Sequence, residues 1–235
     1  MEQQIPPSTS DRLFFGLASV WFVVVTFAGF SQSFFLRSDP EPLPTYLIVH
    51  GIFGSFWMVA FLCQAALIRA DRIAWHAALG KAWAVIMIPV VLSGAYVVLV
   101  NTAAGDKGVD VAGFNLTTFL LFLAFGVIGI ANRNRPFVHK RMMFFATMVL
   151  TVAAADRVAG LVGLEEVRLF RKVLAIAPGI LLVACDSIIT RSFPVLSFLI
   201  VGVIWLVIWF NVTDFLFMRP AGEAIIETLT KVFVR

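Results

Sequence analysis

A membrane-spanning helical bundle is the fold this sequence predicts, on three observations. The 235-residue chain is 60% hydrophobic and only 14% charged, where a soluble domain is about half apolar and a quarter charged. Its mean hydropathy is +0.95. Seven stretches are long enough to cross roughly 30 Å of hydrocarbon, and their unbroken apolar character does not fit the alternating strands of an outer-membrane barrel. The expected architecture is all-α: an integral membrane bundle of seven transmembrane helices in residues 1–218, then an amphipathic C-terminal tail in residues 219–235.

The first segment, residues 13–36, follows a polar Met1–Ser10 that lacks a basic n-region. Its apolar run is too long for a signal peptide and no small-residue cleavage site follows it, so we expect it to stay as a helix. Residues 37–44 (RSDPEPLP) carry three prolines and read as a short stiff turn before the second segment, 45–68. The third segment, 73–101, contains Pro89, which should kink it. Gly105, Asp106 and Gly108 supply turn chemistry in residues 102–111. The remaining segments are 112–131, 139–160, 173–190 and 194–218, and loops this short make sequential helices antiparallel neighbours.

In the tail, Glu223, Glu227 and Lys231 recur every four residues, with Ile225, Ile226, Leu229, Val232 and Phe233 filling the other face. Such a helix lies on the membrane surface, meets a partner, or packs on its own bundle. The two cysteines, Cys63 and Cys185, have no CxxC spacing and read as small buried hydrophobes. The 24 phenylalanines and six tryptophans read as lipid contacts and interface anchors, Trp75 among them.

Basic residues near helix ends are retained on the cytoplasmic side. Arg12, Arg69, Arg72, Lys81, Arg133, Arg135, Lys140, Arg141 and Arg191 make nine on one side, against Arg37, Lys107, Arg168, Arg171 and Lys172, which make five on the other. The N-terminus is therefore expected inside, although the tail adds Arg219, Lys231 and Arg235 to the outer count. The net charge of +4 is mostly topology, and no dense basic tract argues for nucleic acid.

The chain's three histidines, His50, His76 and His139, each sit at the mouth of an apolar segment. An ionisable group there is a site hypothesis by default. His76 and His139 open the third and fifth segments at similar depth, which suits the axial ligands of a haem b held between helices. Gly80, one turn after His76, leaves room for a porphyrin face, and Gly54 stands in the same relation to His50. Arg72, Lys81, Arg135, Lys140 and Arg141 are placed to pair with propionates. The plainer reading stands beside this one: each histidine bonds a carbonyl or a lipid headgroup, the basic residues follow from orientation, and the glycines serve helix packing.

His50 lies at the opposite end, and the fourth segment offers it neither histidine nor methionine, so it meets a quinone headgroup or a substrate, or is structural. Asp156 and Arg157 close the fifth segment, and Asp186 lies near Arg191 at the inner end of the sixth. Each reads as a local ion pair or, alternatively, as part of a proton or anion path. Asn211 and Asp214 read as interfacial.

At these residues the sequence resembles an uncharacterised group of bacterial multi-pass membrane proteins built around three motifs. They stand here as His50-Gly51, His76-Ala-Ala-Leu79-Gly80 and His139-Lys140-Arg141-Met142-Met143, with Asp186 and the Arg191 turn also matching. The resemblance covers most of the chain and implies the bacterial inner membrane, with no established activity. From His50 to Val100 the order is also distantly similar to the ascorbate-reducible transmembrane cytochromes b, which implies His76 and His139 as one haem-ligating pair. The chain departs from that family in lacking a partner for His50, in placing bulky Met143 four residues after His139, and in having no ascorbate-site motif.

Three functions remain in contention. One is a haem b electron-transfer protein working with quinol or a partner subunit. The second is a cofactor-free accessory subunit of a larger membrane complex, held through the last helix and the tail. The third is a small-solute transporter lined by Asp156, Arg157, Asp186 and the histidines, against which the apolar midplane counts. No catalytic triad, phosphate loop, HExxH, CxxC or retinal-type lysine is present, so catalysis without a cofactor is not expected.

Overall fold

The computed structural model describes residues 9–106, 108–164, 166–190, 194–210 and 220–234. Within them the chain is helical, with no strand: α1 is Thr9–Gly29, α2 Thr45–Arg69, α3 Ile73–Ala103, α4 Val109–Ala131, α5 Pro136–Leu150, α6 Val152–Leu161, α7 Arg168–Thr190, α8 Val195–Phe210 and α9 Pro220–Phe233. Helices α1, α2, α3, α4 and α7 are each long and apolar enough to cross a membrane. The pair α5 and α6, bent by 46° where they join, is long and apolar enough when taken together, which gives five helices of this kind or up to six among the described residues. Of the expected seventh segment the described part is α8, whose 16 residues rise about 24 Å, so the described residues give five or six long apolar helices and not the seven expected; Asn211 and Asp214 lie outside the described residues, as do Lys107, Arg191, Arg219 and Arg235.

Two expected continuous helices are interrupted. The α-helical ladder of the first segment stops at Gly29 and Ser31–Phe35 form a π turn, in which Phe35 N–H reaches Phe30 O at 3.4 Å. Gly29 sits where α1 meets α6 so closely that a Cβ would fall 2.4 Å from the carbonyl oxygen of Ala154. The fifth segment starts early, with Pro136 in its first turn, where its missing N–H costs nothing. It then breaks at buried Thr151, whose hydroxyl and N–H both donate to Met148 O, at 2.7 and 3.0 Å. A threonine hydroxyl bonding back onto its own helix is a known cause of such bends. By contrast, α3 runs through Pro89 as one helix.

The core gathers around α5. Phe144, Phe145, Ala146, Thr147 and Met148 are all buried, and α5 packs against α4, α7 and α1. Phe22 of α1 stacks obliquely on Phe144 with ring centres 5.3 Å apart. Trp57 of α2, also buried, donates to the Thr147 hydroxyl at 3.3 Å. Leu92, Leu120 and Ile188 stand out from the bundle, as lipid-facing residues do. Of the two free cysteines, Cys185 is half-buried, whereas Cys63 is exposed, a correction to the expectation that both are interior. The amphipathic tail is helical as expected. It packs on α3 and α4 with Gly222 and Ile226 buried, and leaves the Glu227–Lys231 pair at 3.4 Å on its outer side.

Candidate two-histidine site

The start of α1, the end of α2, the starts of α3 and α5 and the end of α7 meet at one end of the bundle. Ion pairs tie them together: Arg12 with Asp71, Lys140 with Asp11, and Arg141 with Asp186. His76 and His139 sit there, each one turn inside its helix. The N–H of His76 bonds Arg72 O at 3.0 Å and that of His139 bonds Arg135 O at 3.0 Å, so the two arginines cap α3 and α5 in the same way. The imidazole rings are brought side by side, with centres 6.1 Å apart and planes at 83°.

His139 has a defined tautomer. Its Nδ1 lies 2.8 Å from the carbonyl oxygen of Gly129 on α4, and because a carbonyl only accepts, Nδ1 carries a proton, which in the neutral ring leaves the lone pair on Nε2. Gly129 makes this contact accessible. A Cβ there would meet Met143 Sδ at 2.9 Å and Met142 Cβ at 3.2 Å, so the close approach of α4 to α5 requires the missing side chain.

His76 is met by a residue that sequence reasoning missed, Gln64 of α2. With its Nε2 turned toward His76, the amide donates to His76 Nδ1 and, at 3.2 Å, to the His76 carbonyl, while Oε1 accepts the Gly80 N–H at 3.1 Å. The opposite orientation would set oxygen against two acceptors and the amide NH2 against a donor. Gly80, expected to clear space for a porphyrin face, has this amide beside it, 3.7 Å from where a Cβ would stand.

The surrounding cations divide into two groups. Lys140 is held by Asp11 and lies 5.4 Å from the centre of the Phe15 ring. Arg141 donates through Nε to Asp186 Oδ2 at 2.8 Å and through Nη2 to Oδ1, with Ser197 of α8 adding a bond to Oδ2 at 2.9 Å. Its Nη1 bonds Phe137 O at 2.9 Å, and the guanidinium lies 3.5 Å from the centre of the Phe137 ring. Asp186 therefore has a partner on α5 in addition to whatever Arg191, outside the described residues, supplies. Arg72 and Arg135 are exposed.

His50 lies elsewhere. It is 14 residues from Gln64 along α2, about 21 Å of rise. Its Nδ1–H donates to Ser93 Oγ at 3.2 Å, and Ser93 donates onward to Pro89 O at 2.5 Å. Beside it an open groove of about 750 Å³ between α2 and α3 is lined in part by Tyr46, Ser93 and Tyr96. At the same end Arg157 bonds Ala153 O at 3.1 Å and lies over the Phe30 ring at 4.4 Å, while Asp156 sits in the field of Arg171, Arg157 and Lys172.

No family model, curated protein or solved structure matches this chain.

Among the described residues, no group of three or more histidine, cysteine, aspartate or glutamate side chains is placed to hold a metal ion. The two imidazoles are donors of the type that would hold a haem iron, and their ring centres lie 6.1 Å apart. To ligate through Nε2 each ring would carry its proton on Nδ1, as neutral His139 does against the Gly129 carbonyl.

Proposed function

We propose that this multi-pass membrane protein binds haem b through His76 and His139 and passes electrons between that group and quinol or a partner membrane protein. One observation carries the reading: the two imidazole rings come together at one end of the bundle, centres 6.1 Å apart, with His139 Nδ1 held by the Gly129 carbonyl. A ligating histidine almost always donates its other ring N–H to a carbonyl or carboxylate in this way. When bound, haem supplies one-electron chemistry; the chain supplies its ligands, its orientation and its electrostatic setting. Arg72 and Arg135, exposed at the same end, would be the cations to pair with propionates, while Lys140 and Arg141 are engaged in their own ion pairs on α5. The excess of basic residues at this end supports a cytoplasmic orientation for it. Haem analysis of protein purified after growth with adequate haem supply tests the assignment: about one haem b per chain supports it, and a haem-free, correctly folded preparation overturns it.

A further inference from the structure

Gln64 has a role at this site beyond packing, one that rests on the two-histidine reading. Gln64 is a polar residue well inside the apolar α2 helix, and its amide reaches three groups of one turn of α3: the His76 ring, the His76 carbonyl and the Gly80 N–H. Two of these are backbone groups, exposed to a side approach because Gly80 has no side chain. The His76-x-x-x-Gly80 spacing thus serves the glutamine as much as the histidine.

The consequence concerns protons. An amide N–H donating to Nδ1 leaves neutral His76 with its proton on Nε2. His139, donating from Nδ1 to Gly129, has its Nε2 bare. The two rings, otherwise equivalent in their helices, are therefore set in opposite tautomers by second partners on α2 and α4. Bis-imidazole ligation through Nε2 needs His76 in the other tautomer, with Nδ1–H directed at an acceptor. Gln64 can become that acceptor by turning its amide over, and doing so gives up its bonds to the His76 carbonyl and the Gly80 N–H.

The geometry points to Gln64 as a positioning residue that selects the tautomer of His76, so that loading of the two-histidine site is coupled to a turn of the Gln64 amide and a loosening of the α2–α3 contact. The only bonds that change are N–H bonds of the imidazole: Nε2–H of His76 gives its proton to solvent and Nδ1 takes one up, with no net change of protons or electrons.

Nitrogen NMR of 15N-histidine-labelled full-length protein, prepared without haem at pH 8 and assigned with single histidine variants, reads this directly. The expected wild-type pattern is Nε2–H for His76 and Nδ1–H for His50 and His139. Gln64→Glu, which only accepts at this pH, should move His76 to Nδ1–H; Gln64→Met should leave it as a mixture. Finding Nδ1–H at His76 in the wild-type protein overturns the inference even if neither variant accumulates, as does an unchanged Nε2–H in Gln64→Glu. Hemin titration of the same preparations provides the second arm. Gln64→Glu should bind about tenfold tighter than wild type, the scale on which a ligand's hydrogen-bond partner acts, and equal affinity counts against the coupling. Absence of hemin binding in every preparation defeats the haem reading, while the tautomer assignment is decided by the haem-free spectra alone.

Discussion

Arg141 and Asp186 join α5 to α7 through two parallel N–H···O contacts inside the bundle, with side chains only 3% and 2% exposed. Arg141 is two residues from His139, and Asp186 also takes the Ser197 hydroxyl of α8, so the pair braces the histidine end from behind. A buried pair is costly to assemble but far more costly to break, because removing one partner strands the other charge.

The first prediction follows from that asymmetry. Asp186→Asn or Arg141→Met alone should destabilise the protein by about 3–5 kcal/mol. Arg141→Met combined with Asp186→Leu should lose much less than the sum of the two single changes. Thermal unfolding in detergent measures both, and an additive double variant would show that the pair is not energetically coupled.

A second prediction concerns Gly129. Gly129→Ala sets a methyl 2.9 Å from Met143 Sδ and 3.2 Å from Met142 Cβ, and overpacking of this kind costs about 1–3 kcal/mol. Because the Gly129 carbonyl also holds His139, the variant should lower haem retention together with the unfolding temperature. Gly202→Ala, where an added Cβ meets nothing within 4 Å, is the control and should do neither.

The third prediction is a pH dependence outside the membrane spans. The Glu41 backbone N–H, bonded to Asp39 at 3.0 Å, and the Arg37 guanidinium hold the Asp39 carboxyl below its ordinary range. A depressed carboxyl contributes order above its unfolded pKa and loses that contribution as pH falls through its folded pKa. The 37–44 turn should therefore stay ordered from neutral pH down through the ordinary carboxylate range and loosen only below it. A carboxyl-carbon NMR titration checks this, and Arg37→Gln should move the Asp39 midpoint upward.

Composition and hydropathy made the helical bundle legible, because spans of 20 or so apolar residues have no other stable form in lipid. Their interruptions were not legible. The break at Thr151 depends on one buried hydroxyl, and the end of α1 depends on a close contact between Gly29 and a helix more than a hundred residues away. That His76 and His139 come to the same end of the bundle was readable from depth and chain order. Gln64 was not: one glutamine in an apolar helix gives no sign of its target until α2 and α3 are docked. A usable signal was present in the repeated Arg-x-x-x-His of Arg72–His76 and Arg135–His139, which marks two equivalent helix starts. The partners of Arg141 and Asp186 were hidden for the same reason, since each comes from a different helix.

The most direct measurement of the central claim is the reduced-minus-oxidised absorption spectrum of the purified protein and its histidine variants. Wild type and His50→Ala should both show Soret and alpha bands of haem b, whereas His76→Ala and His139→Ala should lose them while keeping the helical circular dichroism of the wild type. A colourless wild-type preparation made with adequate haem supply, or bands that survive His76→Ala unchanged, would contradict the assignment.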